Sequence, residues 1–167
     1  LGLVGSEMCI RDSERPYIVI VGHLDADGAA ASAALAKTLI EEGYSFHVKG
    51  VDQLGEEEIE KVASEEAGIY FFLDIGAGQL DIIEKKMRKD NVVICDHHPP
   101  ISEWPLMVNP YIVGIDGDKE VSGAGCTHVL CSTLFPEINT HLAALIGALG
   151  DRQDVGKDRS FTGFNAE

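Results

Sequence analysis

The sequence predicts an α/β domain, a largely parallel sheet with helices on both faces and a helical C-terminal part, on three observations. Short apolar runs rich in β-branched and aromatic residues alternate with longer helix-forming stretches, the signature of βαβ units. Those runs are apolar throughout, as strands buried on both faces are. The 167 residues amount to one domain, and 45% hydrophobic with 25% charged residues is near the globular average, which excludes disorder, collagen and a coiled coil.

The elements follow in order. Tyr17 to Gly22 (YIVIVG) reads as a strand, and the Ala-rich stretch Gly28 to Glu42 as a helix stopped by Gly43. Ser45 to Val51 reads as a strand, Glu56 to Glu66 as an acidic amphipathic helix, and Ile69 to Leu73 (IYFFL) as a buried strand. Leu80 to Lys89 is expected to be helical, Val92 to Cys95 a strand and Leu106 to Val108 a shorter one. Past Gly125 the pattern turns helical over Cys126 to Leu134 and His141 to Leu149, the latter an apolar helix whose interior should be core. This is a Rossmann-like arrangement. No repeat or Pro/Gly-rich linker divides it. Residues 1–13 are set apart: Glu7 to Ser13 looks like a translated sequencing adaptor, which leaves 14–167 as the domain. Phe161 to Glu167 follows a charged loop without a helix cap, and the chain reads as a fragment cut at both ends.

Charge narrows the function. Thirteen Lys+Arg against 28 Asp+Glu give a formal net charge of -15, which argues against gripping nucleic acid through a generally basic surface. If phosphates are handled, metal ions should do it. No uncharged apolar run approaches the ~20 residues of a membrane span. Four cysteines without a C-x-x-C pair favour a reducing compartment, hence the cytoplasm.

Ligands of open α/β sheets bind beyond the carboxyl ends of the strands, and acids collect there. The first strand leads into His23-Leu24-Asp25-Ala26-Asp27-Gly28, the third into Asp74, the fourth into Asp96-His97-His98. So many carboxylates on one rim would repel one another without cations. In an extended segment His23, Asp25 and Asp27 project to one side and can face one centre; alternatively Asp27 caps the helix and Asp25 sits in a turn. Asp74 can equally be an N-cap, and Asp96-His97-His98-Pro99-Pro100 a polar turn. Adjacent histidines point opposite ways along an extended chain, so one is expected on a metal and the other on substrate. Asp151 emerges from the last apolar helix, where an unpaired carboxylate is costly, and reads as a ligand. Arg152 and Asp154 could form a local ion pair.

The set His23-x-Asp25-x-Asp27-Gly28, Asp74, Asp96-His97-His98 and Gly150-Asp151 resembles the DHH phosphoesterase superfamily, and its RecJ-like single-strand exonucleases most of all, over Tyr17 to the C-terminus. The resemblance implies that 14–167 is a catalytic domain followed in the family by a C-terminal substrate-binding domain, and that it takes two divalent cations, Mn²⁺ preferred and Mg²⁺ possible. His23 and Asp25 would hold one, Asp27, His97 and Asp151 the other, and Asp74 would bridge them. His98 would face the scissile phosphate as a catalytic residue, and Asp96 would orient a histidine. The implied reaction is two-metal phosphodiester hydrolysis on single-stranded DNA or RNA, with replication or repair proteins as candidate partners and no membrane. Ser122-Gly123-Ala124-Gly125 before a helix offers backbone N–H groups to a substrate phosphate, or is an ordinary Ser N-cap. Asn109 matches a family position near the site, though Asn109-Pro110 is by itself a turn. Thr127 and His128 lie in the first turn of that helix, where a polar contact to substrate is conceivable; His47 and His141 read as structural. Alternative readings are a phosphodiesterase for cyclic dinucleotides or very short oligonucleotides, a pyrophosphatase, and an inactive subunit of a replication assembly.

Overall fold

Alternation along the first strand sets up two cores. In a computed structural model describing residues 15–166, β1 (Ile18–His23) turns Ile18 and Ile20 to one face of a sheet and Val19 and Val21 to the other, all four buried. Helix α1 (Ala26–Glu41) covers the first face and β2 (Phe46–Val51) returns to the sheet. Helix α2 (Glu56–Ala63), β3 (Ile69–Leu73), α3 (Leu80–Lys86), β4 (Val92–Cys95) and the short β5 (Met107–Val108) follow. A 3-10 turn over Pro110–Val113 precedes α4 (Gly123–Leu134) and α5 (His141–Gly150). The five strands are parallel in the order β2-β1-β3-β4-β5.

One core joins Ile18, Ile20, Phe71, Leu73 and Cys95 of the strands to Ala31, Leu35 and Leu39 of α1 and Ala124, Cys126 and Cys131 of α4. The other joins Val19, Val21, Phe72, Val92 and Ile94 to Ile59 and Val62 of α2, Leu80 and Ile83 of α3, and Trp104, whose indole N–H donates to the Val92 carbonyl at 3.0 Å. Helices therefore cover both faces, as the apolar strand runs require. Cys95 lies in the core, as strand alternation implies, and burial pushes its thiol up.

The structure departs from expectation at several helices. α4 begins at Gly123 rather than Cys126, because the Ser122 hydroxyl caps it by accepting from Gly125 N–H at 3.2 Å. α2 and α3 stop at Ala63 and Lys86, short of Glu66 and Lys89. The larger correction concerns α5. Its interior is not core: Leu142, Leu145, Ile146 and Leu149 are exposed and only Gly147 and Ala148 are buried. Although apolar all round, α5 is not enclosed; it packs on α1 and α4 through a narrow stripe of small residues. No described helix is long and apolar enough to cross a membrane. The segment 1–13 falls outside the described residues.

Candidate metal centre

Strand register builds the rim. Gly22 pairs with Leu73 and Leu73 with Cys95, so the next residues, His23, Asp74 and Asp96, stand at equivalent places on three adjacent strands. Asp25 and Asp27 arrive through the turn into α1, His97 and His98 through the loop after β4, and Asp151 as the residue that ends α5.

These residues come together as two adjoining groups. In each, the ligand atoms lie within 4.8 Å of one another: His23, Asp25 and Asp74 in one, Asp27, His97 and Asp151 in the other. Asp74 belongs to both neighbourhoods, its oxygens 3.5 Å from His23 Nδ1 and 3.3 Å from His97 Nε2, as a bridging ligand would. Neither approach is aligned as a hydrogen bond. Both Asp74 oxygens are buried without a hydrogen-bond partner, and so is His23 Nδ1, although it stands 2.8 Å from Asp25 Oδ2. A buried carboxylate left in this condition is strongly destabilising unless a cation completes it. Burial, with the charges of Asp27 and Asp25 added and His97 opposing, pushes Asp74 up to about 7. The donor set of carboxylate oxygens and imidazoles, with no thiolate, suits hard or borderline divalent cations. The residues present fit such ions.

Each ligand is held from behind. Asp25 caps α1, its Oδ1 accepting from Gly28 N–H at 2.8 Å, while its Oδ2 faces His23. Capping and ligation are therefore not exclusive: Asp25 is both cap and candidate ligand, and Asp27 sits in the first turn. Burial works to raise Asp25, but the Gly28 N–H and His23 outweigh it and hold it below its usual range. His97 Nδ1 meets the Gly117 carbonyl at 2.7 Å, which fixes that nitrogen as the donor and turns Nε2 toward Asp151 at 3.0 Å and Asp74. Burial opposes a charge on His97, but the Asp151 and Asp74 carboxylates beside its Nε2 prevail and push it up to about 11.

Asp96 holds His98 rather than His97, Oδ1 lying 2.8 Å from His98 Nδ1, while its Oδ2 accepts from Ala77 N–H at 2.8 Å. Burial would raise Asp96, but these bonds keep it ionised below its usual range, and the bond to Asp96 raises His98. The two histidines do not diverge. Residues 96–98 are no longer strand, and the rings lie 4.3 Å apart with Asp74, His97 and His98 forming a third group of atoms within 4.8 Å.

The expected phosphate contacts are used differently. Gly123 N–H and Ala124 N–H donate to Asp27 Oδ2 and Oδ1 at 2.6 and 2.8 Å, so the N-terminus of α4 grips a metal-ligand candidate instead of offering itself to substrate. Ser122, Gly123 and Gly125 are buried and their polar groups are engaged within the chain. Burial and the charge of Asp151 raise Asp27, against the Ala124 N–H, Ser122 and His97. Asn109 is likewise occupied, accepting from Tyr111 N–H at 3.0 Å and donating to the His98 carbonyl at 2.9 Å; it braces the loop of His98. Thr127 donates back to the Gly123 carbonyl, His128 bonds Thr140, and His141 bonds Asn139. His47 bonds Tyr17 and pairs with Glu65 at the surface. Asp154 pairs with Arg159, not Arg152.

Two contributors carry no chemical motif in the sequence. Gln153 is fully buried and donates to the Gly117 carbonyl at 2.9 Å, the same oxygen that orients His97. A Cβ on Gly147 would lie 2.1 Å from Asp27 Oδ1, so only glycine lets α5 pass this close. A glycine within an apolar helix was the available hint.

A crevice of about 520 Å³ opens onto the centre, with His23, Asp74 and His98 on its wall.

The family described as the DHH family, N-terminal domain, matches residues 17–147. The chain is 34% identical over 146 residues to an uncharacterised protein of Methanocaldococcus jannaschii, covering 82% of this chain and 33% of that protein. It thus spans about a third of that relative's length. In fold it is similar to exonuclease RecJ bound to manganese, with a TM-score of 0.70 at 20% identity over 96% of this chain and 43% of that one. RecJ of Thermus thermophilus in complex with Mn²⁺ gives 0.66 at 22% identity, covering 96% and 24% of the two chains. CDC45 from Entamoeba histolytica gives 0.61 at 14% identity, covering 90% and 32%. At these identities the structural likeness concerns the fold. From its matched residues 17–147 and its sheet with ligand candidates on the carboxyl rim, the chain belongs to the DHH family and has a RecJ-like DHH fold.

Proposed function

We propose that the centre hydrolyses phosphodiesters with divalent cations, Mn²⁺ above Mg²⁺, and that the chain supplies the catalytic centre of a RecJ-like exonuclease on single-stranded nucleic acid. The observation that carries this reading is Asp74, a buried carboxylate with both oxygens unpartnered amid five further ligand candidates. Divalent cations held here would supply Lewis-acid polarisation of a phosphoryl oxygen and a water of lowered pKa.

The chain's own residues divide the remaining work. His23 and Asp25 would hold one cation, Asp27, His97 and Asp151 the second, and Asp74 would serve both. The Gly117 carbonyl keeps the proton of His97 on Nδ1, away from the metal side. Asp96 keeps that of His98 on Nδ1 or shares it, and its bond favours the imidazolium, so His98 donates to the phosphoryl or leaving oxygen.

The test is Mn²⁺-dependent release of mononucleotides from a labelled single-stranded oligonucleotide, with bis(p-nitrophenyl) phosphate as the minimal substrate. His98→Ala should keep metal stoichiometry and lower turnover by about 10²–10⁴-fold, the usual weight of a general acid. Loss of one metal in that variant would make His98 a ligand, and absence of any metal-dependent hydrolysis would remove the reading.

One observation favours a second reading, a phosphodiesterase for cyclic dinucleotides or very short oligonucleotides: the net charge of -15 gives a long polyanion little to hold. Product lengths from substrates of graded size separate the two. The ligand candidates gathered at the centre weigh against an inactive subunit.

A further inference from the structure

The crevice beside the centre has a chemical character of its own. Beyond the shared wall it is lined by Asp52, Gln53 and Gln79 over buried Leu54 and Ile75, and no Lys or Arg is among the described residues that line it. A phosphate seated in the outer part of this crevice, away from His98 and the centre, would meet Asp52 with no Lys or Arg to offset it. The group that fits is uncharged, partly apolar and rich in hydrogen-bond donors, because an ionised carboxylate only accepts. Its volume of about 520 Å³ falls within the range of small-molecule pockets.

The position of Asp52 sharpens this. Val51 pairs with His23, so Asp52 is the first residue beyond the rim on the strand next to the ligand-bearing β1. In dinucleotide-binding sheets an acid about twenty residues past the first βα turn takes the ribose hydroxyls. Asp52 is exposed and makes no hydrogen bond or ion pair with the described residues, and the Gln53 and Gln79 amides are likewise unengaged.

We propose that this crevice seats the nucleoside of the nucleotide under attack, with Asp52 accepting from the ribose 2′-hydroxyl and Gln53 and Gln79 facing sugar or base, so that the site selects ribonucleotides over deoxyribonucleotides and rejects pyrophosphate. The proposal rests on the phosphodiesterase reading of the centre and deepens it. A site that bonds a hydroxyl discriminates against the analogue lacking it, and an exposed acceptor does so modestly.

The experiment is a titration of the chain, with Mg²⁺ present, by AMP, dAMP and pyrophosphate, followed by amide chemical shifts and calorimetry. AMP should move the amides of Gln53 and Gln79 and bind about tenfold tighter than dAMP, one good hydrogen bond to a charged acceptor. Asp52→Asn, an exposed change that leaves the core untouched, should shrink that ratio to within about twofold. Pyrophosphate should leave those amides still. Equal affinity for AMP and dAMP, a ratio that survives Asp52→Asn, no AMP binding, or the same amides moved by pyrophosphate would each overturn the proposal. Hydrolysis of bis(p-nitrophenyl) phosphate is scored separately. Metal-dependent turnover without nucleoside discrimination would sink the crevice assignment and keep the phosphodiesterase; discrimination without turnover would do the reverse.

Discussion

Asp74 occupies a position that a metal-free protein has every reason to avoid. It is buried, both of its oxygens are unpartnered, and its backbone is left-handed at φ 59°. Asp and Asn tolerate that conformation better than other residues with side chains, whereas Ala there adds a backbone cost of about 1–2 kcal/mol. Asp74→Asn is therefore the clean test. It should raise the melting temperature of metal-free protein, since it deletes a buried charge, and should abolish the further rise that Mn²⁺ gives the wild type. A metal-free Asp74→Asn variant less stable than wild type, or one still stabilised by Mn²⁺, would contradict the bridging role. Individual ligand candidates were legible because residue types and spacing were informative: His23-x-Asp25-x-Asp27 and Asp96-His97-His98 stand on the rim as expected. What Asp96 and Gly117 orient was not legible, because it depends on how residues 96–98 turn after leaving β4.

At the scale of elements, α4 and α5 form the back wall of the centre, and their packing was the least legible part of the sequence. The apolar stretch at 141–150 looks like core, yet its contacts run through Gly147 and Ala148 while the leucines face out. Local composition cannot tell which face of an apolar helix is covered. The N–H groups of Gly123 and Ala124 look free in the sequence because their partner, Asp27, lies 96 and 97 residues away. Gly147→Ala should expose the arrangement. The added Cβ would fall 2.1 Å from Asp27 Oδ1 and 2.5 Å from Ala124 Cβ, an overpacking cost of about 1–3 kcal/mol. Mn²⁺ affinity should fall at least about tenfold, roughly 1.4 kcal/mol, as Asp27 is displaced, read by calorimetry beside a urea melt. Unchanged affinity would show that α5 stands off from the centre.

At the scale of the molecule, the parallel sheet covered on both faces was legible because buried parallel strands advertise themselves as apolar runs, whereas the strand order was not read from the sequence. The order β2-β1-β3-β4-β5 places β1, β3 and β4 side by side, and that adjacency gathers three acid- and histidine-bearing loops into one site. Charge acts at this scale too. With a net charge of -15, the 167 residues should hold long single strands weakly, with affinity falling further as salt is lowered in a Mn²⁺-free buffer, the opposite of counterion-release binding. Filter binding of a labelled oligonucleotide across a salt series checks this, and tight binding with a steep loss at high salt would refute it. The central claim is that six side chains, His23, Asp25, Asp27, Asp74, His97 and Asp151, make one centre for divalent cations. The most direct measurement is calorimetric titration of the metal-free chain with Mn²⁺. The account predicts saturable binding of two ions in the wild type, lost in Asp74→Asn with the fold retained; an absence of saturable binding, or full two-ion binding in that variant, would contradict it.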